Sequence, residues 1–233
     1  MRWLLPAAIV LASVPRAHAA RPMITDDARI VDAKACQVES WVKRNEASTE
    51  AWTLPACNPT GNLELTLGGA RTWLRGDGSA LTDHQLQAKT ILLPLEPNGL
   101  GIGLAVGTLR HPHRVAANGW PGDYYAYVPI SKSFADDFWV MHVNVGAFRK
   151  RDEERTQGTW GLGNEIRVRE ELFVIPEIFG SDRGRAFYQA GLRMWIVKDR
   201  VQIDATYGNR LVSGTAERWF SVGLRLLSPP MLP

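Results

Sequence analysis

In the stretch from Gly99 to Arg110, GLGIGLAVGTLR, two kinds of residue take turns. Leu100, Ile102, Leu104 and Val106 are large and apolar, while Gly99, Gly101, Gly103, Ala105 and Gly107 are nearly bare. This period of two is that of a β-strand, whose successive side chains point to opposite faces. A second face turned to water would carry Thr, Lys or Glu, because glycine in a strand costs backbone entropy and packs nothing. Bare positions make sense where side chains crowd, as on the inner wall of a barrel.

The same two-faced pattern recurs along the chain. Asn62 to Leu74 sets Leu63, Leu65 and Leu67 against Glu64 and Thr66, and Asp83 to Leu93 sets Leu86, Ala88 and Leu92 against Gln85, Gln87 and Lys89. Asp123 to Phe134, Asp137 to Arg149, Thr159 to Val168, Ala186 to Val197, Arg200 to Gly208 and Arg218 to Leu227 continue it, with Glu171 to Phe179 more uniformly apolar. Together with a hairpin near the start, these make about 12 strands, an even number of the kind bacterial outer-membrane barrels use. The expected class is all-β, an up-and-down antiparallel transmembrane β-barrel. Counted from a periplasmic N-terminus, the tight turns at Asn58, Asn98, Ala135, Arg169 and Lys198 fall on the periplasmic side and most longer polar loops outside; the short connection at Asn45 is the exception.

The first residues read as an address. Arg2 is basic, Trp3 to Val14 is almost wholly apolar, and Ala17-His18-Ala19 has the small-x-small form of a cleavage site, together a secretory signal peptide over 1–19. No later apolar run approaches the roughly 20 residues a spanning helix requires, so any crossing uses strands. The formal charge of +3 falls to +1 when Arg2 and Arg16 leave with the signal. Without basic clusters interleaved with stacking aromatics, nucleic acid is not an expected partner. Residues 20–35 carry no sustained period and form either an extended periplasmic lead-in or a segment folded into the barrel mouth; 36–233 is the barrel.

Cys36 and Cys57 lie in a chain that leaves the cytoplasm, which favours one disulfide. A hairpin of Gln37 to Arg44 and Thr49 to Ala56, turning at Asn45 to Ser48, places Cys36 opposite Cys57, Trp41 opposite Trp52 and Lys43 opposite Glu50. Two thiols without a further ligand do not complete a metal site, and no cofactor is expected.

Alternation alone also fits a soluble, lipocalin-like periplasmic carrier with its faces reversed. Bare inner faces, strands of about nine to thirteen residues and aromatics near strand ends (Trp73, Tyr124, Trp139, Trp160, Tyr188 and Tyr207) favour a membrane. Glu165, Arg167, Gln189, Arg193, Gln202, Asp204 and Arg225 then point inward as candidate lumen-lining residues. Their mixed signs favour mutual pairing over an open charged path. His142 would share the inner face with Asn144, with Ser131 on the neighbouring strand; a satisfied interior histidine is expected there, not a hydrolase. His111 and His113 flank Pro112 without a third ligand, and Gly161-Leu162-Gly163 is strand, not a phosphate loop.

Arg21-Pro22 with Thr25-Asp26-Asp27-Ala28, then Cys36-Gln37-Val38-Glu39-Ser40-Trp41 and Pro55-Ala56-Cys57-Asn58-Pro59, resemble proteobacterial outer-membrane proteins grouped loosely as transporters and related to the barrel family named for the MetA pathway of phenol degradation. The resemblance implies an outer-membrane barrel and passage of small or aromatic compounds, and it supplies no catalytic or binding residues. Such barrels commonly end on an aromatic residue read by the assembly machinery; here Leu226 and Leu227 precede Ser228-Pro229-Pro230. The expected protein is a non-enzymatic channel or transporter in the outer membrane of a Gram-negative bacterium. Its partners are outer-membrane lipids, the barrel assembly machinery and a small-molecule solute. The alternatives are a non-conducting structural or binding barrel and the soluble carrier.

Overall fold

The computed structural model describes residues 23–76, 79–112, 122–151, 154–211 and 217–233. The expected signal peptide, Arg21-Pro22 and His113 lie outside these residues. Twelve strands follow in order: β1 (Cys36–Asn45), β2 (Ser48–Cys57), β3 (Glu64–Leu74), β4 (Ala80–Leu93), β5 (Leu100–Arg110), β6 (Asp123–Phe134), β7 (Trp139–Lys150), β8 (Arg155–Arg167), β9 (Leu172–Ser181), β10 (Phe187–Val197), β11 (Val201–Arg210) and β12 (Trp219–Leu227). Each pairs antiparallel with its neighbours in sequence, and β1 closes on β12 through nine register pairs from Gln37↔Leu227 to Asn45↔Trp219. Closure leaves no strand edge unpaired, which any sheet in hydrocarbon must achieve.

The faces divide as the alternation predicts. On β5, Leu100, Leu104 and Val106 are exposed on the outside, while Gly101, Gly103 and Ala105 are buried inside. Leu65, Leu67, Leu86, Val145, Leu192, Ile203, Val222 and Leu224 continue the apolar exterior. Within the barrel, Gln37, Glu64, Lys89, Ser131, His142, Glu177 and Thr206 are buried. An apolar exterior around a polar interior reverses the arrangement of a water-soluble barrel and matches that of a membrane one. The lipocalin-like alternative needs the opposite distribution. Trp73, Tyr124, Trp139, Trp160 and Tyr207 all stand exposed among the outward residues.

The first hairpin has the expected register, with Cys36↔Cys57, Trp41↔Trp52 and Lys43↔Glu50 paired and a disulfide joining Cys36 to Cys57. The two tryptophans stack at 5.5 Å between ring centroids. Asn45 makes the short turn possible: its side-chain oxygen accepts from the amides of Ala47 (2.9 Å) and Ser48 (2.7 Å). The tail after β12 leaves the ladder at Ser228, whose amide donates to the Cys36 carbonyl (2.9 Å), and the Met231 amide reaches back to Lys34 (2.7 Å). The start of β1 and the tail after β12 therefore meet at one end of the barrel, here called the terminal end. The opposite, loop end carries the connections after β1, β3, β5, β7, β9 and β11.

Candidate functional site

The lumen is occupied by the chain's own N-terminal segment. Residues 23–35 turn inward at the terminal end, where the Lys34 amide donates to the Asn58 carbonyl (2.8 Å) and the Asn58 side chain donates to the Val31 carbonyl (2.8 Å). Further in, the segment's amides bond to side chains of the wall. Val31 donates to Glu64 of β3 (2.9 Å), Ala28 to Ser131 of β6 (2.8 Å), and Ile24 and Thr25 to the two oxygens of Glu177 on β9 (2.7 and 2.9 Å). In the orientation that satisfies both its groups, the Asn144 amide on β7 accepts from the Asp26 amide (2.7 Å) and donates to the Asp26 carbonyl (2.8 Å). An irregular segment has no sheet partner for its backbone, and buried amides without acceptors are costly. The polar wall supplies those acceptors.

Charge and shape fix the same segment. Lys89 of β4, almost fully buried, lies 2.8 Å from Asp26 and 3.5 Å from Asp27, and the Tyr127 hydroxyl donates to Asp26 (2.7 Å). The bare residues leave the required room: a Cβ on Gly161 would come within 2.4 Å of the Thr25 hydroxyl, and one on Gly101 within 3.1 Å of Ala28. The sparse inner faces of β5 and β8 thus accommodate the segment as well as neighbouring wall side chains.

Of the seven inward candidates, Glu165, Gln189, Arg193, Gln202, Asp204 and Arg225 are all buried inside the barrel. Arg167 sits half-exposed at the terminal end of β8, where its guanidinium donates to the Asp136 carbonyl (3.1 Å). Glu165 and Arg193 pair at 2.5 Å, Arg193 and Asp204 are direct cross-strand partners, and so are Gln202 and Arg225. The Arg225 Nε donates to Gln37 (2.8 Å), which in turn donates to Glu64 (3.3 Å). A chain of polar contacts therefore joins β12, through Gln37 of β1 and Glu64 of β3, to the segment's contact at Val31.

His142 is fully buried. Its Nδ1 lies 2.8 Å from the Ser131 hydroxyl, and its Nε2 lies 3.6 Å from Glu165. Because Ser131 also accepts from the Ala28 amide, the trio ties the segment to the wall. His111 bridges two carboxylates near the loop end, Asp83 (2.5 Å) and Asp123 (3.6 Å). Among the described residues, no group of three or more His, Cys, Asp or Glu could hold a metal ion.

Beyond the segment, toward the loop end, a vestibule of about 460 Å³ opens. Ile24 and Thr25 form its floor, and Ile24 is 58% exposed there. Inward positions of β6, β7, β9 and β10 give it Tyr125, Tyr127, Phe148, Phe179 and Phe187, with Arg185 and Arg210 as its charged residues. Tyr125 and Tyr127 stack at 6.1 Å, and Phe179 and Phe187 at 5.7 Å. The Arg210 guanidinium lies 5.2 Å from the Phe187 ring and pairs with Glu217 at 2.6 Å.

Sequence reasoning did not single out Lys89, Glu64, Glu177 or the Asp26-Asp27 pair as holding one structure together. Glu177 was the available signal, being a lone carboxylate in an otherwise apolar strand.

The chain belongs to the family described as uncharacterised conserved protein UCP029691, whose profile matches residues 7–227. No curated protein matches it. Among solved structures it is similar to the KdgM porin at a TM-score of 0.62 and 10% identity, covering 82% of this chain and 98% of that one. It is also similar to the NanC porin at 0.59 and 9%, covering 82% and 98%. The COG4313 outer membrane channel from Pseudomonas putida F1 matches at 0.53 and 11%, covering 83% and 93%. These likenesses establish a shared fold.

Proposed function

We propose that the chain is an outer-membrane channel for small solutes, shut in this structure by residues 23–35. One observation carries this reading: beside the wall's own paired side chains, the lumen is filled by a separate segment held through hydrogen bonds and ion pairs. Polar contacts can be exchanged for water when such a segment leaves, whereas an apolar core cannot be opened at comparable cost. The porins and channel that share the fold support the same class. With the terminal end in the periplasm after removal of the signal peptide, the vestibule faces the outside of the cell and meets the solute first. The resemblance seen in the N-terminal motifs points to small aromatic or hydrophobic solutes.

The test begins with location. Outer-membrane fractions should contain a band that shifts on boiling, the behaviour of a closed barrel. Proteoliposomes carrying the chain without residues 23–33 should then take up small solutes faster than those carrying the intact chain. A band confined to the soluble periplasm, or equal uptake by both forms, overturns the reading; the second result favours a non-conducting structural or binding barrel.

A further inference from the structure

The vestibule differs from the rest of the lumen. Elsewhere the inward positions are chiefly polar, charged or bare, with the apolar Val140, Ile175 and Trp195 scattered among them, yet near the loop end five inward positions on four strands are aromatic and line one cavity. Aromatic rings on a wetted inner wall leave apolar surface in water, as does the exposed Ile24 beneath them. The tyrosine hydroxyls are already occupied: Tyr125 accepts from Gln85 (3.0 Å) and donates to Gln87 (2.9 Å), and Tyr127 donates to Asp26. The rings are thus fixed by their edges. The ionic lining is of one sign, since Arg185 and Arg210 line the vestibule and no carboxylate does among the described residues. Arg210 gives part of its guanidinium to Glu217, while its Nε has no hydrogen-bond partner. A volume of about 460 Å³ falls within the range of small-molecule sites.

We propose that this vestibule binds a small aromatic carboxylate, with its ring against Phe179, Phe187 and the Tyr125–Tyr127 pair and its carboxylate on Arg185 and Arg210. Each half of such a ligand has a counterpart. The ring covers apolar surface that water otherwise meets, and the carboxylate accepts charge-assisted hydrogen bonds in a site partly screened from solvent. The inference rests on the vestibule being the outer mouth of the solute path, but binding itself needs no opened channel.

The experiment uses the intact refolded chain in detergent, with its heat shift confirmed, and equilibrium dialysis against 1-naphthoate, neutral 1-naphthamide and galacturonate. Saturable 1-naphthoate binding is expected, with 1-naphthamide and galacturonate each about tenfold weaker or worse, the scale of one lost charge-assisted or stacking contact. Arg185→Gln, at an exposed position outside the strands, should weaken 1-naphthoate about tenfold and leave 1-naphthamide unchanged. Phe179→Leu should weaken both. Absence of saturable 1-naphthoate binding, equal binding of the amide or the sugar acid, or an unaltered affinity in Arg185→Gln each overturns the proposal. Binding without solute uptake after removal of the segment leaves the site standing and removes the channel; uptake without binding does the reverse.

Discussion

Lys89 of the wall and Asp26 of the N-terminal segment meet inside the barrel at 2.8 Å, with Asp27 a further partner of the same ammonium at 3.5 Å. Both members are needed where they stand. An unpaired lysine on the wall, or two adjacent carboxylates without a cation, would be far costlier in this enclosed space than the pair. Asp26 also ties into Tyr127 and Asn144, so one residue couples the segment to β4, β6 and β7.

Replacing Lys89 by Met should release the segment. Loss of one partner from a buried ion pair costs about 3–5 kcal/mol, enough to shift a segment held by a handful of contacts. The expected result is faster protease cleavage within residues 23–33, with the heat shift of the barrel kept. Adding Asp26→Asn and Asp27→Asn to Lys89→Met should restore part of the protection, because no carboxylate then remains uncompensated. Equal protection in the wild type and the single variant would show that the pair does not hold the segment.

Gly161→Val tests shape without changing charge. A Cβ there would lie 2.4 Å from the Thr25 hydroxyl and 3.3 Å from its Cβ, so Thr25 must move. Gly163→Ala is milder, since its nearest neighbour is the Met23 sulfur at 3.0 Å, the adaptable end of a flexible side chain. Hydrogen exchange at the Ile24 and Thr25 amides, both bonded to Glu177, should quicken strongly in the first variant and little in the second.

Glu177→Gln should act on the same two amides. The side chain keeps its size but loses the charge that strengthens two backbone hydrogen bonds, a loss of about 1–2 kcal/mol. Exchange at residues 24 and 25 should rise by about tenfold, while exchange at Val31, held by Glu64, stays unchanged.

The outward face makes its own demand. Leu104 stands mid-strand on β5, and Leu104→Arg should lower barrel stability in lipid by ~2–4 kcal/mol, against ~0–1 kcal/mol for Leu100→Arg at the strand end. Urea unfolding in lipid vesicles reads the difference. Equal, negligible effects would mean that this face does not meet hydrocarbon.

Much of this architecture is legible in the sequence because lipid imposes a strict rule on one face of every strand. Leu63, Leu65 and Leu67 against Glu64 and Thr66 can be read in only one register, and the disulfide hairpin fixes its own through Cys36, Trp41 and Lys43. The strand β9 resisted that reading for a physical reason. Its inward residues Ile175 and Phe179 are apolar, one fully buried and the other in the vestibule, so the two faces resemble each other. The segment 23–35 was harder still. A chain packed irregularly inside a barrel has no period to display, and its position is recorded only in the wall: missing side chains at Gly101 and Gly161, the carboxylate of Glu177 and the cation of Lys89. Sparse inner faces indicated crowding, but not what does the crowding.

Single-channel recording in planar bilayers bears on the closed lumen most directly. The intact chain should show little steady current, and the chain lacking residues 23–33, with its heat shift intact, should insert as a barrel with stable conductance steps. A truncated barrel that folds and inserts yet remains as silent as the intact chain would contradict a path held shut by this segment.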